Sequence, residues 1–276
     1  MGVDFLFNAF YRFGCFFKYE LSMENIKIKR EYKKRLLLLK NKYYGKRCFI
    51  IGNGPSLTPN DLEQLKDEYC FASNRIFYIY NSTTWRPTFY CAQDEDVFKD
   101  ISDKLDDIVS QSENIFFVNY CKKYTPASVI SMDNVLFYNA RRVAAHKNRK
   151  FSKDITRFVD GGGAITYAAM QIAVYLGFKE IYLLGVDHNY AASSFKDGKI
   201  SESDVKNSYF KGMPTNIKLS KPNTDNTTIS YIEARKFADK HNIRIYNATR
   251  GGRLEVFERK TLEEVLEKDE NEKINY

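Results

Sequence analysis

The sequence predicts an α/β, Rossmann-like fold: a mainly parallel sheet with helices on both faces, preceded by a basic helical N-terminal arm. Three observations carry that prediction. Short apolar runs alternate with helical stretches from residue 48 onward. The first run, Cys48-Phe49-Ile50-Ile51, empties into Gly52-Asn53-Gly54 just before a helix start. Several later runs also end in polar side chains, as strands do when they deliver groups to a common crevice.

The arm is residues 1–47. It holds 12 Lys/Arg against 4 Asp/Glu, while the rest of the chain has 31 of each, so the whole net charge of +8 belongs to the arm. A near-neutral body lacks the basic stripe of a nucleic-acid-binding core. Phe5, Phe7, Phe10, Tyr11, Phe16 and Phe17 lead into a basic stretch from Lys27 to Lys46 that contains Leu36–Leu39. Aromatic residues beside Lys and Arg suit peripheral contact with an anionic membrane. The alternative is a helix that packs on the domain or on a second subunit of a homo-oligomer. As a separate arm it is expected to be removable, leaving a folded, near-neutral domain.

Residues 1–20 lack the basic start and small-residue cleavage site of a signal peptide, and no run reaches the ~18 apolar residues of a membrane span. The five cysteines (15, 48, 70, 91 and 121) show neither metal spacing nor a paired framework, which points to a reducing cytoplasm.

From residue 48 to 276 one nucleotide-binding domain is expected. Strands are predicted at 48–52, 70–74, 88–92, 115–119, 135–139, 180–187 and 243–247. Helices are predicted at 59–67, 97–110, 162–176, 229–241 and 261–268. Thr58 is a good N-cap and Pro59 suits the first helical position. The stretch 190–228, rich in Ser, Asn, Lys and Gly, has little periodicity and is read as a lid loop.

The strand ends supply the candidate site. Gly52, Asn53, Gly54, Asn74, Arg75, Gln93, Asp94, Asn189 and Thr249 are candidate nucleotide-binding residues, with the glycine turn presenting N–H groups to a phosphate. The turn is neither a dinucleotide fingerprint, since its third glycine would fall on Leu57, nor a Walker loop, since no Gly-Lys-Ser/Thr follows. Gly162 and Gly163, before the apolar helix, serve either a phosphate or a simple helix-opening turn. Asp94 and Asp96 either hold Mg2+ or Mn2+ against a diphosphate or serve the first turn of a helix. His188, following the strand-end Asp187, is the best placed of three histidines for a general base, with a turn role as the alternative.

The blocks Ile50-Ile51-Gly52-Asn53-Gly54-Pro55-Ser56-Leu57, Ser73-Asn74-Arg75 and Leu176-Gly177-Phe178-Lys179-Glu180-Ile181-Tyr182-Leu183-Leu184-Gly185-Val186-Asp187 resemble the bacterial lipooligosaccharide sialyltransferases. They resemble still more a broad group related to the archaeal-type 6-hydroxymethyl-dihydropterin pyrophosphokinases, whose members often accompany surface-polysaccharide biosynthesis. The resemblance covers about 48–257. It implies that Asn53, Ser56 and Asn74 bind the cytidine nucleotide of a donor sugar. The sialyltransferase histidine base is missing here: the corresponding segment reads Pro222-Asn223-Thr224-Asp225-Asn226-Thr227, so either Asp225 or His188 takes its place or the chemistry differs.

The expected function is therefore a cytoplasmic glycosyltransferase acting at the inner face of the membrane, with catalytic residues His188, Asp225 and Asp187. It passes sugar from a nucleotide-sugar donor to a glycan or lipid-linked acceptor, with no cofactor required. The alternatives are an ATP- and Mg2+-dependent pyrophosphokinase, using Asp94 and Asp96, and a non-catalytic nucleotide-binding scaffold.

Overall fold

The computed structural model describes residues 23–141, 149–189, 209–214 and 224–267. Eight strands form one sheet: β1 (Arg47–Ile51), β2 (Cys70–Ser73), β3 (Phe89–Ala92), β4 (Asn114–Val118), β5 (Val135–Tyr138), β8 (Glu180–Leu184), β9 (Arg244–Asn247) and β10 (Glu258–Arg259). Their order is β10-β9-β8-β1-β2-β3-β4-β5, and every pairing is parallel. A second, two-stranded ribbon pairs β6 (Ala140–Arg141) with β7 (Val159–Asp160).

All seven predicted strands are present; five end one to three residues early, and β3 and β9 end where predicted. The predicted strand 180–187 stops at Leu184 because Gly185 turns the chain at φ +69°. The eighth, β10, escapes prediction because two charged residues make no apolar run. Strands β1 to β5 and β8 are almost wholly buried, as expected of a parallel sheet covered on both faces, while β9, next to the edge, is buried at only two of its four residues.

The chain winds from β1 to β5 in one direction and then returns to the other side of β1. Because parallel crossovers are right-handed, this reversal puts the later helices on the opposite face. One face carries α2 (Pro59–Glu63), α3 (Glu95–Ile101), α4 (Leu105–Ser110) and α5 (Ala127–Ile130). The other carries α6 (Ile165–Leu176), almost entirely buried, and α7 (Thr224–Lys240), which packs against it.

The predicted helix 59–67 closes after Glu63, and 97–110 is broken by a 3-10 turn at Ser102–Lys104. Left-handed Gly162 and Gly163 delay the helix predicted from 162 until Ile165. α7 begins at Thr224, five residues before the predicted helix, so the last part of the supposed lid, including Asp225, is helical. Of the rest of that lid, 190–208 and 215–223 lie outside the described residues.

The N-terminal helix α1 (Met23–Leu39) does not stand apart as an arm. Tyr32 and Leu36 are buried, Tyr32 packs on Phe137 of β5, and the Tyr175 hydroxyl of α6 donates to the Leu36 carbonyl. Tyr43 follows, stacked on Phe178 and edge-on to Phe89. The packing reading therefore describes 30–46, whereas the aromatic segment from Phe5 to Phe17 lies outside the described residues. No described helix is long and apolar enough to cross a membrane.

Candidate functional site

The winding reverses between β1 and β8, and the carboxyl end of such a switch point is where open α/β sheets form a ligand crevice. Here the two strands turn tightly against each other. A Cβ on Gly52 would stand 2.3 Å from the Gly185 carbonyl oxygen, and one on Gly54 would stand 1.9 Å from Asp187 Oδ2. The Gly52 N–H donates to the Leu184 carbonyl (2.7 Å) and the Gly54 N–H to the Gly185 carbonyl (2.9 Å). These glycines thus join β1 to β8 and have no N–H left for a phosphate, contrary to the expectation of a cradle. The start of α2 is occupied too, because Thr58 and Asp61 form a reciprocal capping box.

Asp187 belongs to the same junction. Its Oδ2 accepts from Ser56 Oγ at 2.8 Å and from the Ser56 N–H at 3.4 Å, and its carbonyl accepts from the Arg253 N–H at 2.7 Å. Burial raises the Asp187 pKa, and the Ser56 bonds oppose that rise. Asp187 and Ser56 bind each other and hold the crevice wall in place. Thr249 is internal as well: its buried hydroxyl accepts from the Val186 N–H at 3.0 Å and donates to the Leu183 carbonyl.

Farther along the edge, three carboxamides stand at the ends of three adjacent strands. Asn53 Nδ2 donates 3.1 Å to the Ser73 carbonyl, so Asn53 at β1 sits beside Asn74 at β2. Asn74 is left-handed (φ 52°), and its carbonyl accepts from the Tyr90 hydroxyl. Gln93, after β3, donates Nε2 to the Gly161 carbonyl at 3.1 Å. Among the described residues, Asn53 Oδ1, Asn74 Oδ1 and Gln93 Oε1 are all buried without a hydrogen-bond partner, as is Ser73 Oγ. Four unpaired acceptors in one place are costly unless something donates to them. Hydroxyl and amino groups, such as those of a nucleoside, are the matching donors.

Part of the supposed lid reaches this edge, with the Phe210 N–H donating 3.1 Å to the Asn53 carbonyl and the Phe210 ring buried. Arg75 is buried and paired with Asp100 on α3 at 2.8 Å. The sequence reading missed Ser73, Phe210, Thr228 and Tyr231. Ser73, a polar residue closing an otherwise apolar strand, was the one with a visible signal.

His188 stands on the opposite side of the junction, in a left-handed conformation (φ 51°) that costs a non-glycine residue energy. Its Nε2 lies 2.7 Å from Thr228 Oγ1, and its ring meets Tyr231 edge-on at 5.6 Å. The Tyr231 hydroxyl is bonded to Thr166 Oγ1 at 2.6 Å, which ties α7 to α6. Burial pushes the His188 pKa down, favouring the neutral imidazole over the charged one. Asn189 follows, exposed. Asp225, also exposed, lies one turn before Thr228 on α7.

Gly162 and Gly163 open α6. The Gly162 N–H donates to Asp160 Oδ1 (3.0 Å), its carbonyl accepts from Ser230 Oγ (2.7 Å), and a Cβ there would strike the Tyr167 ring. That is the helix-opening turn, with Gly162 already engaged. Asp94 and Asp96 do not form a paired metal site: Asp94 caps α3 by accepting from the Asp96 and Val97 N–H groups, and Asp96 pairs with Lys99 at 3.2 Å. Among the described residues no three His, Cys, Asp or Glu side chains cluster as metal ligands.

The fold is similar to that of the MAf glycosyltransferase from Magnetospirillum magneticum AMB-1, with a TM-score of 0.52 at 15% identity over 90% of this chain. This chain spans only 42% of that protein. The sialyltransferase CstII from Campylobacter jejuni, solved with cytidine-5'-monophosphate, aligns at a TM-score of 0.46 and 20% identity over 78% of this chain and 85% of its own. No curated protein matches the sequence. The family model for 6-hydroxymethylpterin diphosphokinase MptE-like proteins matches residues 22–193, which take in the β1–β8 junction, the carboxamide row and His188. With well over half its length matched, the chain belongs to the MptE-like family.

Proposed function

We propose that the chain is a glycosyltransferase that takes a sugar from a nucleotide-activated donor and passes it to a hydroxyl of a surface glycan. The observation that carries this reading is the row of unpaired carboxamide oxygens on Asn53, Asn74 and Gln93, a set of acceptors suited to the hydroxyl and amino groups of a nucleoside. The choice of a cytidine monophosphate sugar rests on the resemblance of the Ile50–Leu57 and Ser73–Arg75 blocks to the sialyltransferases. The fold it shares with the MAf glycosyltransferase is in keeping with sugar transfer.

In this reaction the acceptor oxygen bonds to the anomeric carbon as the bond from that carbon to the nucleotide phosphate breaks. The acceptor's proton passes to the neutral imidazole of His188, and the Thr228 hydroxyl marks where a hydroxyl can meet Nε2. Asp187 and Ser56 position the wall; Asp225 is the alternative base. A lipid-linked acceptor would bring the enzyme to the inner face of the membrane, where the exposed Leu37, Leu38 and Tyr44 offer apolar contact beside Lys34 and Lys42.

The second reading, ATP-dependent diphosphate transfer to a pterin-like heterocycle, is favoured by the family match. The carboxylates at 94 and 96 do not fit the metal that such a reaction uses, because one caps a helix and the other pairs with a lysine.

Thermal-shift measurements against CMP, CDP, UDP, GDP and ATP, with and without Mg2+, separate the readings, since a ligand of the folded state raises its melting temperature. A CMP shift that does not need metal is expected. A shift with ATP and Mg2+ alone would replace sugar transfer by the second reading, and no shift with any nucleotide would favour a scaffold.

A further inference from the structure

The β6–β7 ribbon follows β5 in the chain, and its end reaches the crevice edge at Gln93. Its end feeds the turn whose Gly161 carbonyl holds Gln93, and the Gly161 N–H in turn meets the Arg141 carbonyl at 3.4 Å. Arg141 pairs in register with Asp160, which is fully buried. The carboxylate of Asp160 is already satisfied. Oδ1 accepts from Arg149 Nη1 and from the Gly162 N–H, both at 3.0 Å, and Oδ2 accepts from the Lys150 N–H at 3.2 Å. Gln171 takes up its backbone N–H and carbonyl at 2.9 and 2.8 Å.

Arg149 supplies the countercharge, with a side chain only 7% exposed. Arg141 is the outer of the two cations, its side chain 32% exposed and its guanidinium over the Phe158 ring. Its Nη1 makes only a loose ion pair with Asp160 Oδ2 at 3.9 Å, beyond hydrogen-bond reach, and is buried without a hydrogen-bond partner among the described residues. Arg149 Nε and the Tyr167 hydroxyl are likewise buried and unpartnered among the described residues. The other carboxylate whose field reaches Tyr167, Glu233, is engaged by Lys236 at 2.7 Å. Two guanidinium groups thus face one carboxylate, with N–H donors to spare. Desolvating such donors with nothing to receive them is unfavourable, and a planar fork of N–H groups is the natural partner of a phosphate or carboxylate.

We propose that Arg141, backed by Arg149, binds an oxyanion of the substrate that occupies the crevice. The inference rests on the crevice being the substrate site, and not on which group is transferred. The oxyanion is either the phosphate of the nucleotide itself or a separate acidic group on the sugar or acceptor.

Arg141→Gln removes the charge while leaving Asp160 paired with Arg149, so the unliganded protein should melt at the wild-type temperature. Inorganic phosphate, titrated at constant ionic strength, is expected to raise the melting temperature of the wild type, with acetate as the carboxylate probe. In Arg141→Gln the half-saturating concentration should rise about tenfold or more, as for loss of a charge-assisted bond. Arg141→Lys, which keeps the charge but not the fork, should fall between.

The arms with CMP and cytidine identify the source of the anion. If Arg141 holds the nucleotide phosphate, Arg141→Gln lowers the preference for CMP over cytidine by the same factor. If it holds a separate acid, that preference is unchanged and phosphate still stabilises the CMP-saturated wild type. Equal phosphate and acetate responses in wild type and variant overturn the proposal, as does a wild type that responds to neither anion. If Arg141→Gln alone fails to fold, the same titration on Arg141→Lys decides. Because the phosphate arm contains no nucleotide, its result stands even if the sugar-transfer reading fails.

Discussion

Asn53 illustrates how one side chain joins packing to recognition. Its Nδ2 is used by Ser73 and its backbone carbonyl by Phe210, which fixes the carboxamide with Oδ1 facing no partner. Asn53→Ala should weaken nucleotide binding about tenfold, and it should cost only about 1 kcal/mol of stability, the net worth of one lost hydrogen bond. Calorimetric titration and urea denaturation read the two effects separately, and nucleotide affinity equal to wild type would remove Asn53 from the site. For His188, replacement by Ala should lower turnover by about 10²–10⁴-fold, the usual contribution of a general base, with nucleotide affinity little changed. Asp225→Ala should cost less, and the reverse ranking would move the base to α7.

Burial also gives His188 a pH signature. With a folded pKa below the ordinary 6.5, the native state binds fewer protons than the unfolded chain between that lowered value and about 6.5. His188 therefore favours folding above this window, and that contribution is lost as pH falls through it. Denaturant midpoints measured from pH 7 to 5 should drop less steeply in His188→Gln than in wild type. Parallel curves would show that the histidine is not desolvated.

At the scale of elements, the decisive unit is the junction of β1 with β8. Both glycines of the Gly52–Gly54 turn are required by the proximity of the β8 turn, so Gly54→Ala should destabilise by about 3 kcal/mol or more. Part of that cost comes from the Asp187 carboxylate and part from the Gly185 carbonyl, 2.7 Å from the added methyl. Against an Asp187→Ala background the same substitution should cost less, though not nothing, because the carbonyl remains. An identical cost in both backgrounds would mean that the carboxylate moves aside freely. The start of α7 also matters, because it brings Thr228 to His188 and Tyr231 to Thr166, joining the proposed base to the buried helix α6.

For the whole molecule, the N-terminal helix is part of the core. Truncation to residue 45 would remove Tyr32, Leu36 and Tyr43, each contributing about 2 kcal/mol of apolar burial. Against a total stability of about 5–15 kcal/mol, that loss should abolish cooperative unfolding or lower the melting temperature severely. Leu36→Ala alone should cost about 2–5 kcal/mol, the usual range for a buried leucine. A truncated protein that melts like the full chain would restore the separate arm that the charge distribution suggested.

The sequence by itself determined the parallel α/β class, since alternating apolar strands and helices can bury both faces of a sheet in few ways. It also determined which strand ends carry polar groups, and Asn53, Asn74, Gln93 and His188 were all legible from their positions after apolar runs. The uses of those groups were decided only by the tertiary structure. Whether a strand-end N–H or carboxylate faces a ligand or a neighbouring strand depends on strand order, and the β1–β8 adjacency joins residues about 130 positions apart. That adjacency turned the glycine cradle into a strand junction and Asp187 into the partner of Ser56. Likewise the basic stretch before β1 looked detached because its charge is local, whereas its attachment depends on Phe137, Tyr175 and Phe178, which lie far along the chain.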